Sequence, residues 1–168
     1  MTRFEQFQQN VQRWATERGI YEHSTALAQA LKAVSEVGEL CDAVIKNDRD
    51  ALIDAIGDTA VCLVNVGAMA GHAWDLGYIF DDDLSDDVTP QRAAGFCSYA
   101  VGGICFSLGE GADAEPVGEY LDGAMFSLYA SCRTFGLDFD DCCESAWLQI
   151  RDRKGRMVAG GAFVKEGE

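Results

Sequence analysis

Four acidic side chains at helical spacing are the residues of this sequence best suited to carry out chemistry. Glu36 and Glu39 are three residues apart, and Asp54 and Asp58 are four apart. Positions i and i+3 or i+4 project from the same face of an α-helix. Carboxylates are hard oxygen ligands that select Mg²⁺, or Mn²⁺ as a substitute. The spacing therefore predicts a metal site where two acidic helices face each other.

The alternative for each acidic pair is an ordinary solvated helix face. Two features favour the metal site. Apolar residues border the acids in both segments, with Val37 and Leu40 in one and Ile53 and Ile56 in the other. In addition, like charges at these spacings destabilise a plain surface helix.

The apolar periodicity predicts an all-α chain of about five to six helices. Only two prolines interrupt the sequence, and no alternating strand pattern appears. The acidic stretch 71–89 is expected to be a solvated loop, and 158–168 a flexible tail. The predicted helices cover residues 3–18, 25–45, 49–70, 90–108, 115–135 and 138–153.

Charge and cysteine content restrict the class of protein. A formal net charge of -15 argues against a nucleic-acid polymer as partner. No apolar run is long enough for a membrane span or a signal peptide. The seven cysteines are odd in number and form no C-x-x-C pair, which favours free thiols in a reducing cytoplasm.

The acidic pairs and their surroundings resemble the all-α nucleotide pyrophosphohydrolases of the MazG-like superfamily, especially its short bacterial and phage forms. That family carries an E-x-x-E helix followed by an E-x-x-D helix. Here Glu36-Val-Gly-Glu39 is similar to the first motif, and the segment 54–58 is similar to the second. Three other stretches add to the resemblance: 14–20 (WATERGI), 28–32 (AQALK) and the basic 150–157 (IRDRKGRM).

The resemblance implies a single domain whose core is 1–71 and 136–157. Two departures accompany it. Ala55 stands where the family has a glutamate, so Asp54 is the nearest carboxylate that can replace it. Residues 72–135 have no counterpart in the short forms, and they could complete the bundle, cover the pocket or form an oligomer contact.

The implied activity is Mg²⁺-dependent hydrolysis of a nucleoside triphosphate to a monophosphate and pyrophosphate. Glu36, Glu39 and Asp58 would hold the metal, with Asp54 as helper. The residues expected at the substrate are Lys32, Asn65, Arg151, Arg153, Lys154 and Trp14.

Several alternatives stay open at this point. Lys32 could instead pair with Glu36 along its helix, and Trp14 could belong to the core. The chain is expected to form a homodimer or larger homo-oligomer. The competing functional interpretation is a catalytically inactive helical module that binds a nucleotide or a protein, with Ala55 marking a lost ligand.

Overall fold

The computed structural model describes residues 1–80, 85, 87–111 and 114–167. Asp81, Asp82, Asp83 and Asp86, which belong to the predicted acidic loop, lie outside these ranges. The described residues form eight helices and one small sheet. In chain order, the elements are α1 (Arg3–Glu17), α2 (Ile20–His23), α3 (Ala26–Lys46), α4 (Arg49–Ala70), α5 (Leu76–Ile79), α6 (Pro90–Gly109), α7 (Ala114–Thr134), α8 (Phe139–Ile150), β1 (Gly155–Met157) and β2 (Phe163–Lys165).

Side-chain caps fix where the long helices begin. In five of them the residue before the first turn accepts a hydrogen bond from a free backbone N–H. These caps are Thr2, Thr25, Asp48, Thr89 and Asp138. Asn47, at a φ of 52°, ends α3 in the left-handed conformation, and Asp48 begins α4 directly afterwards. The two acidic helices therefore form a tight antiparallel hairpin.

Helix α4 runs through the centre of the bundle. It packs against α1, α3, α7 and α8, while α6 packs against α3 and α7. Among the described helices, α4 is the one with the length and mean hydropathy to cross a membrane, although Asp54 and Asp58 interrupt its apolar run. In the structure, 72% of its apolar window is buried inside the protein. Most of this apolar surface therefore packs against the other helices of the bundle.

The helices of the 72–135 segment contribute directly to the hydrophobic core. Ile104 of α6 and Leu121, Met125 and Leu128 of α7 are fully buried. The segment is therefore an integral part of the bundle.

The all-α prediction is confirmed, but the count of five to six helices is wrong for the described residues. The additional helices, α2 and α5, have one turn each. Helix α5 lies inside the stretch predicted as a solvated loop, and its Ile79 is buried. A single turn is too short to show helical periodicity, so the pattern could not reveal it.

The stretch 158–168, predicted as a flexible tail, contains one strand, β2, whose partner β1 directly precedes the stretch. Strands β1 and β2 pair antiparallel, with Arg156 opposite Val164. The Phe163 ring packs edge-on against Trp14 with 5.7 Å between centroids, which ties the hairpin to α1. Strands of three residues give almost no alternation for a sequence pattern to detect.

Candidate functional site

One cleft of about 530 Å³ collects the predicted acidic residues. Glu36 and Glu39 line it from α3, and Asp54 and Asp58 line it from α4. The wall from α4 follows one helical face, because Val61, Cys62 and Asn65 follow the aspartates at steps of three and four residues. The end of α8 and the β1–β2 hairpin close the other side.

Glu36 is the buried acid of the cleft, with its side chain 7% exposed. Its carboxylate forms an ion pair with the ammonium of Lys32, one helical turn earlier. The pair predicted as an alternative for Lys32 is thus present, and Lys32 also lines the cleft. Glu39, by contrast, is exposed at the rim.

Asp58 lies where negative charges accumulate. Burial, followed by the charges of Glu36 and Asp54, raises the pKa of Asp58 from 3.8 to about 6, and the cations Arg153 and Lys32 oppose this shift. A carboxyl group with such a pKa can hold or release a proton near neutral pH.

Asp54 lines the cleft, whereas its neighbour Ala55 does not. Its Oδ1 accepts a hydrogen bond of 2.7 Å from Nε2 of Gln149 on α8. Ala55 is 2% exposed and packs into the core. The carboxylate available from this turn of α4 is therefore that of Asp54.

Cys62 lines the cleft but is poorly suited to act as a nucleophile. Burial, and next the charge of Glu36, raise the pKa of its thiol above its ordinary value. The thiolate is the reactive form of cysteine. Cys62 therefore remains a neutral thiol, which leaves the carboxylates and cations as the lining groups better suited to chemistry.

Asn65 lies deep in the cleft and is 2% exposed. Its Oδ1 accepts a hydrogen bond of 2.9 Å from the hydroxyl of Tyr21. Burial raises the pKa of Tyr21 to about 12, so this hydroxyl keeps its proton and can donate. Because the carboxamide oxygen accepts this bond, the NH₂ group is the donor that remains available to a ligand in the cleft.

The predicted basic cluster divides in two. Arg153 is half-buried and lines the cleft, whereas Arg151 and Lys154 are exposed and lie outside its lining. The Arg18 guanidinium donates to the backbone carbonyls of Arg153, at 2.9 Å, and Arg151, at 3.1 Å. This contact fixes the backbone where α8 ends.

Trp14 belongs to the wall of the cleft and is 5% exposed. The Arg18 guanidinium lies 5.1 Å from the centre of its ring, and Phe163 packs edge-on against it. The ring is thus packed between protein groups, as the core interpretation of Trp14 expected.

The lining residues missed from the sequence include the polar Gln29, Gln149 and Lys165 and the aromatic Phe163. Gln149 lies one residue before the basic stretch 150–157, which was the nearest available signal. Phe163 and Lys165 reach the cleft through the hairpin, so no local spacing relates them to the acidic helices.

The donor set fits a hard divalent cation by its chemistry. Four carboxylates share one cleft, and after burial the charges of Glu36 and Asp54 contribute to the raised pKa of Asp58. A bound cation would relieve the repulsion among these charges. Within the described part of the chain, no three His, Cys, Asp or Glu side chains are already grouped as a metal site. Binding would therefore require side-chain rotation, for which exposed Glu39 has the most freedom.

Comparison with known proteins gives a partial match. Over 64 residues, the chain is 41% identical to an uncharacterized 18.2 kDa protein from the rep-hol intergenic region of Haemophilus phage HP1. The match spans 38% of this chain and 39% of that relative. No family model matches the chain, and no solved structure matches it.

Proposed function

We propose that this protein is a Mg²⁺-dependent nucleoside triphosphate pyrophosphohydrolase of the MazG-like type, with Mn²⁺ as a possible substitute metal. The observation that carries the proposal is the convergence of Glu36, Glu39, Asp54 and Asp58 in a cleft that also holds Lys32 and Arg153. Phosphoryl transfer requires acidic side chains that bind a metal cation and basic side chains that contact phosphate oxygens.

The protein residues have distinct tasks in this proposal. Glu36, Glu39 and Asp58, with Asp54 held by Gln149, would bind the cation, which when bound supplies phosphate neutralisation and water activation. Arg153 and Lys32 would contact phosphate oxygens from opposite sides of the cleft. A carboxylate not engaged by the cation accepts the proton from the attacking water. The products are a nucleoside monophosphate and pyrophosphate.

The test is pyrophosphate release from a panel of ribo- and deoxyribonucleoside triphosphates with Mg²⁺. We expect Glu39→Gln and Asp58→Asn to lower kcat by at least about 100-fold, because each removes a proposed ligand of the cation that neutralises the phosphates and activates the water. The exposed Glu119→Gln on α7 is the matched control and should retain activity. Full activity of Glu39→Gln would remove this glutamate from the site while leaving the activity itself established.

The inactive binding module is supported by the Lys32–Glu36 ion pair, which already neutralises the buried acid without a metal. Calorimetry separates the two functions. If the protein neither binds Mg²⁺ nor releases pyrophosphate from any nucleotide, the enzyme proposal is overturned. Nucleotide binding without turnover would favour the module.

A further inference from the structure

The solvent-facing side of α6 is uncharged in an otherwise strongly acidic protein. No Asp, Glu, Lys or Arg occurs between Ala93 and Gly109, although the chain has a net charge of -15. Phe96, Tyr99 and Phe106 on this side are 54%, 62% and 71% exposed. Exposed aromatic side chains clustered in this way are typical of an interaction surface.

Apolar residues of α3 extend this surface. Cys41 Sγ lies 3.5 Å from Ser98 Oγ, so α3 and α6 are neighbours along this side. Val34 and Ile45, spaced seven and four residues from Cys41, lie on the same side of α3 and are 45% and 77% exposed. We call the combined surface of Val34, Ile45, Phe96, Tyr99 and Phe106, with the glycines between them, the α6 face.

Large and small residues alternate along the exposed ridge of α6. Gly95, Tyr99, Gly102 and Phe106 follow the i, i+4, i+7, i+11 spacing of one helical stripe. A Cβ placed on Gly95 or Gly102 would have no atom within 4 Å, so each glycine leaves an open notch.

This alternation is complementary to itself. If two α6 helices cross antiparallel about a two-fold axis between residues 100 and 101, Tyr99 meets Gly102 and Gly95 meets Phe106 of the other copy. Each aromatic side chain then enters a notch of the other copy. Each contact also occurs twice, once in each direction, as a two-fold axis requires. A glycine ridge alone would not specify this pairing.

We propose that the α6 face is the interface of a homodimer of this chain. Charge points to the same occupant, because two copies that each carry -15 repel one another least across an uncharged surface. The size is sufficient as well. A helix of this length is about 30 Å long, and two adjacent helices are about 20 Å wide, giving about 1,200 Å² buried in total. That area is within the range of specific protein interfaces.

The experiment measures the mass and dimerisation constant of the full chain by sedimentation. We expect twice the chain mass of 18.2 kDa at micromolar concentration. Gly102→Tyr places tyrosine against Tyr99 of the other copy and should weaken dimerisation at least 10-fold. The double variant Tyr99→Gly/Gly102→Tyr reverses the alternation but keeps it self-complementary, so it should restore the dimer.

Leu148→Glu is the control, since Leu148 is 50% exposed but lies on α8, outside the α6 face. It should remain dimeric. Circular dichroism melting confirms that each variant is folded. The proposal would be overturned if the unmodified chain stayed monomeric, even if it bound lipid vesicles or another protein. It would also be overturned if Gly102→Tyr left the dimer intact. The third contradicting result is a folded double variant that dimerises as weakly as Gly102→Tyr alone.

Discussion

At the residue scale, Asp58 makes stability depend on pH in an unusual direction for an aspartate. Its folded-state pKa is raised to about 6 from 3.8, mainly by burial. The folded protein therefore holds this proton more tightly than the unfolded chain does. Its contribution to stability is complete below pH 3.8 and is lost as the pH rises through about 6.

Asp58→Asn should remove this dependence. In EDTA, the free energy of unfolding of the variant should improve relative to the parent between pH 4 and pH 8. We expect a change on the order of 1–2 kcal/mol, allowing for the partial exposure of the group. Urea unfolding at a series of pH values measures it. Equal pH profiles for parent and variant would contradict the assignment.

Tyr21 connects the cleft to the rest of the bundle through its hydrogen bond to Asn65. Tyr21→Phe leaves the buried Oδ1 of Asn65 without this donor and should destabilise the protein by about 1 kcal/mol. If the nucleotide uses the Asn65 carboxamide, KM should also rise while kcat changes less. Tyr78→Phe is the matched control, because Tyr78 is 45% exposed. An equal loss of unfolding free energy in the two variants would contradict the role given to Tyr21.

At the element scale, the distance between α4 and α8 is set by a glycine. A Cβ on Gly57 would lie 2.6 Å from both Cβ of Ala146 and the carbonyl oxygen of Cys142. The helices therefore approach as closely as they do because position 57 has no side chain. This approach brings Gln149 within hydrogen-bonding distance of Asp54.

Gly57→Ala should force the two helices apart and destabilise the protein by about 1–3 kcal/mol, despite the higher helix propensity of alanine. Gly123→Ala on α7 is the control, because its Cβ would meet no atom within 4 Å. It should be neutral or stabilise by up to about 1 kcal/mol. Thermal melting compares them, and equal changes would contradict the close contact of α4 with α8.

The six long helices were predictable because each carries local signals. Apolar periodicity marks their buried sides, and residues such as Thr25, Asp48 and Asp138 mark their starts. The one-turn helices and the hairpin carry no comparable signal, since their conformation depends on what they pack against. Phe163 becomes a cleft residue only because the hairpin folds back onto Trp14.

The same distinction applies to the cleft. Glu36, Glu39, Asp54 and Asp58 were found from spacing within two helices that a tight turn joins. The separation of Arg153 from its neighbours was not predictable, because Arg151 and Lys154 have the same charge and lie in the same stretch. Their positions depend on how the chain turns where α8 ends, which Arg18 helps to fix from a distant helix.

At the scale of the whole molecule, the net charge of -15 makes stability sensitive to salt. Self-repulsion among acidic groups opposes the compact state, and salt screens it. Raising NaCl from 10 to 300 mM should therefore raise the melting temperature of the parent protein and of any variant with a similar charge. This general effect has to be separated from the effect of a cation held in the cleft.

Magnesium at matched ionic strength makes that separation. A cation bound only by the folded state stabilises it by about 2.7 kcal/mol at 100 times its dissociation constant, whereas screening depends on ionic strength alone. MgCl₂ should therefore raise the melting temperature of the parent beyond the value in NaCl of equal ionic strength. In Glu39→Gln the additional rise in melting temperature caused by MgCl₂ should be smaller, because the variant loses a proposed ligand at the rim. Glu119→Gln should show the same additional rise as the parent. Identical melting temperatures in the two salts for the parent would show that the acidic cleft holds no specific magnesium ion.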